Sequence, residues 1–424
     1  MRWGRCSGPI ADLHAGQRRR SFRRAVSDLD DRVAATIANL PAVDQHCHGL
    51  VASWTSLGDP NAPAWRRCFT EAGRPVSLAR DVAASTGYRE FLRAIASYLG
   101  EDIGEPVGLE ARVVQRRAST LAPKPDAYIR RLFDDARIST LLVDTGYGSS
   151  ASTPADLART IGRPVRTIIR IESIAEGCLA ARGKRSLTRL AFTGTMLEEL
   201  DGAVAAGAVG LKSIAAYRAG LDLPEPSASQ LAGAFRRLDR EAQARRIDDP
   251  VMVAHVVWTA ARLAAARGVP LQFHAGFGDE DIHLPAADPS LLRPLFQEPA
   301  TEECRVVLLH NYPFIDQAAY LASIFPQVHV DLSLTIPLLG SAGAERAIAT
   351  ALALCPTTKL LAASDGHSYP EMHWRGMRLW RDALGRVLTT EVAAGRLDEA
   401  EVEPIARGVL AENSERVYPL RAAA

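Results

Sequence analysis

Eight times along its 424 residues the chain repeats one local pattern: a short apolar, β-branched run that ends in polar residues and is followed by a helix-like stretch. The runs are PAVDQHCH (41–48), ISTLLVDTGY (138–147), VRTIIRIES (165–173), AVGLKSIAAYR (208–218), PLQFHAGFGD (270–279), RVVLLHNYP (305–313), QVHVDLSL (327–334) and TKLLAASDGH (358–367). Near-continuous apolar runs mark parallel strands covered on both faces, whereas strict alternation belongs to a sheet with one wet face. Helical segments such as 250–268 and 316–325 lie between the runs. Strand–helix alternation implies a parallel α/β architecture. Eight units predict a (β/α)8 TIM barrel rather than an open doubly wound sheet.

Two parts exceed the minimal barrel. Residues 49–137 separate the first run from the second and include a helix-like 81–100. This helical insertion follows the C-terminal end of strand 1, the face on which barrel active sites lie, so it reads as a lid over the pocket. The stretch 369–424 is helical in pattern and is expected to close the outer ring. No Pro/Gly/Ser linker divides the chain, so 26–424 reads as one barrel. Residues 1–25 read as a mobile basic tail, with seven arginines and one acid in the first 24. No apolar segment of secretory type follows them, and a cytoplasmic location is expected.

Charge narrows the partners. Lys+Arg number 50 and Asp+Glu 49, so the basic excess that nucleic-acid binding requires is missing. No stretch approaches the ~18 apolar residues of a membrane-spanning helix. The six cysteines are scattered without a Cys-x-x-Cys pair, which argues against a disulfide framework or a structural zinc site. A small-molecule substrate is the expected partner. Oligomeric state is open, with a homo-oligomer the common outcome.

The chemistry-bearing residues fall at strand ends. His46 and His48 are spaced i, i+2 on strand 1 and so point to one side. His274 ends strand 5, His310 strand 6, Asp365 strand 8 and Lys212 strand 4. The C-terminal ends of eight parallel strands converge on one mouth, and packing gives no reason for polar residues at so many of them. Nitrogen and carboxylate donors together favour Zn²⁺, or Mn or Fe, as one or two divalent ions. Asp44, two residues before His46, is a candidate partner for its other ring nitrogen. His283, His367, His373, Asp279, Glu371 and Tyr312 are candidate pocket-lining residues, whereas His255 and His329 read as structural. Arg218, six residues after Lys212, is placed on the rim, where its planar fork suits a substrate carboxylate.

The ordered set His46/His48, Lys212, His274, His310, Asp365 resembles the amidohydrolase superfamily. The phrases VGLKSIAAYR, LQFHAGFGD, LLHNYPF and VDLSL resemble its FluG-type members, over roughly 40–420. In some of these the domain is fused to a glutamine-synthetase-like domain; this chain is expected to stand alone. The resemblance implies metal-dependent hydrolysis of an amide or related C–N bond, of a substrate derived from an amino acid. It implies a metal near His46, His48, His274 and Asp365, with Asp365 as proton shuttle. His310 is implied as a further ligand or as stabiliser of a developing oxyanion. Lys212 as a carboxylated bridge, Glu172 in its place, or no bridge at all are the family's alternatives. Non-hydrolytic decarboxylation on the same barrel, or an inactive binding barrel, are the competing functions.

Overall fold

The computed structural model describes residues 27–147, 152–182, 186–240 and 246–420; the basic tail lies outside them. Eight parallel strands, β1 (Ala42–Cys47), β2 (Ile138–Asp144), β3 (Val165–Arg170), β4 (Gly210–Ser213), β5 (Leu271–Ala275), β6 (Val306–His310), β7 (Val328–Asp331) and β8 (Leu360–Leu361), pair in chain order. The expected (β/α)8 barrel is therefore the fold. Its seam closes just beyond β8: Asp365 N–H donates to His46 O at 3.0 Å and His48 N–H to Gly366 O at 2.8 Å. The loop that carries Asp365 thus finishes the barrel.

Alternation along the strands sorts the lumen into layers. Val43, Leu142, Ile168, Val307 and Leu361 pack together in the lower lumen, with Tyr418 from the C-terminal segment among them. Two residues further along β1, β2 and β3 the chemistry changes to Gln45, Asp144 and Arg170, and Lys212, Gln272 and Asp331 are polar at the same end of their strands. Burying polar groups there demands partners, and Gln272 Nε2 donates to Tyr418 Oη at 2.8 Å and to Gln45 O at 3.0 Å. Gln45 Nε2 in turn donates to Asp331.

The insertion is an ordered helical unit. It comprises α1 (Thr86–Leu99), α2 (Leu109–Leu121) and α3 (Pro125–Asp135), preceded by a 3₁₀ turn at Ala64–Phe69. Ser85 caps α1 and Gly100 ends it with a φ of +69°. Trp65, Phe69, Tyr88 and Phe91 form its aromatic core, and Trp65 Nε1–H donates to Tyr88 Oη at 2.9 Å. The expected C-terminal helix is α4 (Pro370–Ala393). It carries His373 inside the fold at 0% exposure, so the reading of His373 as a loop residue lining the pocket is corrected. The apolar phase of this helix turns that face inward.

Candidate metal centre

The strand ends bring the sequence candidates together. Asp365 Oδ1 lies 3.3 Å from His46 Nε2 and 3.2 Å from His48 Nε2. The His46 and His310 rings are 5.5 Å apart, and those of His274 and His310 4.5 Å. Lys212 Nζ lies 3.2 Å from His46 Nε2. All five of these basic side chains are buried.

The other nitrogen of each ring fixes what faces the centre. His46 Nδ1 lies 2.9 Å from Gln272 Oε1 and His48 Nδ1 3.2 Å from Asp144 O. Both partners only accept, so Nδ1 carries the proton in each neutral ring and Nε2 presents a lone pair. Burial, with the Lys212 charge beside it, pushes His46 down to about 4, so it is neutral at pH 7. Two nitrogen lone pairs and a carboxylate therefore face one another. Asp365 Oδ1 is buried and makes no hydrogen bond to any described residue. Three converging acceptors with no proton between them fit a divalent cation, and an N₂O set suits a first-row ion.

Other candidates take different places. His274 Nε2 donates to Phe277 O at 3.0 Å, which leaves Nδ1 free. The backbone N–H of Leu334 points at His310 Nδ1 at 3.3 Å and Ser333 Oγ lies 2.8 Å from it, so Nε2 is the nitrogen left for the site. Glu172 Oε1 accepts from Ser213 Oγ at 2.7 Å and Ile214 N–H at 3.0 Å. Ser213 alternates with Lys212, so this carboxylate is engaged on the far side of β4 from the lumen. Arg218 pairs with Glu176 at 3.1 Å. Tyr312 is 40% exposed on the rim and meets Phe277 edge to face at 5.6 Å.

Asp44 is not the partner of His46; Gln272 is. The reason is a bulge in β1: Asp44 pairs with Leu141 and Cys47 with Val143, so three steps on β1 match two on β2. The extra residue turns both Gln45 and His46 inward and leaves Asp44 facing α4. Gln272 was within reach of the sequence, since it stands two residues before His274 on one strand.

Sequence reading also missed the walls. Tyr147 packs tilted against His48 with ring centroids 4.6 Å apart, and Tyr217 against His274 at 4.5 Å. Arg170 pairs with Asp144 at 2.5 Å beside Lys212. From the insertion, Cys68 Sγ reaches to 3.9 Å from His367 Nδ1. Burial, with Asp365 and Asp279 nearby, raises Glu71 to about 7.

A closed parallel barrel with histidine and carboxylate donors at the C-terminal strand ends is the arrangement of a metal-binding barrel enzyme. Residues 177–420, more than half of the chain, match the amidohydrolase family model. The chain belongs to the amidohydrolase family. It is 34% identical over 223 residues to protein fluG of Emericella nidulans, a match covering 50% of this chain and 26% of that protein. The chain thus spans about a quarter of that relative's length. A Lactobacillus casei structure provisionally assigned as a metal-dependent hydrolase superposes with a TM-score of 0.80 at 28% identity, covering 92% of this chain and 99% of that one. Glucuronate isomerase from Caulobacter crescentus shares the fold, with a TM-score of 0.67 at 16% identity, covering 94% and 95%.

Proposed function

We propose that the chain is a metal-dependent hydrolase of amide or related C–N bonds in a small molecule. The observation that carries this reading is the convergence of His46 Nε2, His48 Nε2 and Asp365 Oδ1 on one point. These three would hold one divalent ion, with zinc the first choice. When bound, such an ion supplies Lewis acidity to a substrate carbonyl and to water.

The chain's own groups supply the rest. In this reading the second oxygen of Asp365 takes the proton of the attacking water and returns it to the leaving amine. His310 presents Nε2–H to the carbonyl oxygen as negative charge develops there. Burial lowers Lys212 to about 8, against Asp144 and with Arg170. Its free amine is therefore accessible near neutrality, and that is the form that either accepts a hydrogen bond or becomes carboxylated. Residues 68–73 of the insertion act as a lid that limits water at the mouth. Glu176 already balances the charge of Arg218, so a substrate carboxylate would have to displace it.

The test is isotopic. Metal-loaded protein is incubated with a panel of small amides in H₂¹⁸O. Hydrolysis predicts one ¹⁸O in the carboxylate product and release of the amine. Turnover that releases CO₂, or that isomerises a sugar acid without uptake of ¹⁸O into a carboxylate, contradicts the reading.

A further inference from the structure

Asp365 stands on a backbone that its side chain disfavours. Its φ is +49°, in the left-handed region, where a residue other than glycine persists only when its surroundings enforce it. The enforcement comes from Asp44, a fully buried carboxylate on β1. Asp44 Oδ1 accepts from Ser364 N–H at 2.8 Å and Oδ2 from Ser364 Oγ–H at 2.5 Å. Ser364 Oγ then accepts from Gly366 N–H at 2.8 Å. One carboxylate thus grips the residues on both sides of Asp365.

Helix α4 seals this grip. A Cβ on Gly366 would lie 2.6 Å from His373 Cγ, and one on Gly376 2.6 Å from Ser364 Cβ. Both glycines let the turn sit directly on the helix. His373 Nδ1 lies 3.5 Å from Asp44 Oδ2, too long to replace the Ser364 bonds. Cys47 joins Asp44 and His373 within 4.8 Å. Both Asp44 oxygens are already taken by Ser364, so this cluster serves the turn.

We propose that Asp44 is a positioning residue. Through Ser364 it fixes the left-handed turn that aims Asp365 at His46 and His48. The consequence for metal binding rests on the function proposed above; the consequence for the turn does not.

Two measurements on the full chain decide it. The first is Zn²⁺ affinity, by chelator competition, in wild type, Asp44→Asn, Asp365→Asn and the double variant. Asparagine keeps the shape of Asp44 but offers one acceptor oxygen instead of two. Asp44→Asn is expected to weaken Zn²⁺ binding by ~10–100-fold, and by under ~3-fold once Asp365 is already Asn, because the two act through one group. Equal weakening in both backgrounds, or none in the first, overturns the proposal. The second is amide hydrogen exchange in metal-free protein. Asp44→Asn should accelerate exchange in 363–367 and leave the ends of β5 and β6 unchanged; acceleration throughout the barrel, or none in 363–367, overturns it. This readout decides the point even if the wild type binds no Zn²⁺, which would instead remove the proposed function. Should Asp44→Asn fail to fold, Ser364→Ala, which removes one donor, replaces it in both measurements.

Discussion

Gln272 holds His46 by Nδ1 at 2.9 Å and is itself tied to Gln45 and Tyr418. That chain of hydrogen bonds runs from the floor of the barrel to a candidate ligand and fixes its tautomer. Gln272→Leu keeps most of the volume and removes the acceptor. It should lower Zn²⁺ affinity by ~10–100-fold in chelator competition, with little change in the far-ultraviolet spectrum; an unchanged affinity would show that another contact sets the His46 tautomer. At this scale the sequence is informative where alternation is regular and misleading where it is not. His46, His48, Lys212, His274 and His310 could be placed because each lies within one residue of a strand's C-terminal end, and Asp365 because it follows the eighth run in the turn just beyond β8. Asp44 could not, because a one-residue bulge leaves no mark in composition. Arg218 could be put in the right loop, but its partner Glu176 comes from the helix after β3, and loop spacing does not say which way a side chain turns.

The insertion between β1 and β2 was legible as excess length and helical periodicity, while its docking was not. It is fastened by a pair 254 residues apart. Arg117 in α2 and Glu371 at the start of α4 are 1% and 0% exposed and meet at 2.5 Å. Arg117 also donates to Thr55 O and Trp54 O, and Tyr128 Oη–H to Glu371 Oε1 at 2.7 Å. Glu371, expected among pocket residues, is therefore a fastening inside the fold. Arg117→Met leaves a buried carboxylate with one hydroxyl partner. Breaking one side of such a pair costs about 3–5 kcal/mol, so the urea midpoint should fall accordingly. A loss under about 1 kcal/mol would mean that the insertion docks by its apolar contacts alone.

Across the whole molecule the fold and the centre are one construction. β8 is only two residues long, and the barrel is closed by the same turn that carries Asp365. The lower lumen is apolar, the next layer holds hydrogen-bonded polar groups, and at the mouth the acceptor atoms of His46, His48 and Asp365 face one another. The eight-strand pattern was visible in the sequence because covered parallel strands must be apolar throughout. The layering appears only when distant strands are set side by side. The claim that these acceptors hold a metal is tested most directly by elemental analysis of the purified full chain. About one divalent transition ion per chain is predicted, falling below ~0.1 in His46→Ala and His48→Ala under the same buffer. A wild-type chain without metal and without affinity for Zn²⁺, Mn²⁺ or Fe²⁺, or variants that keep the wild-type content, would contradict it.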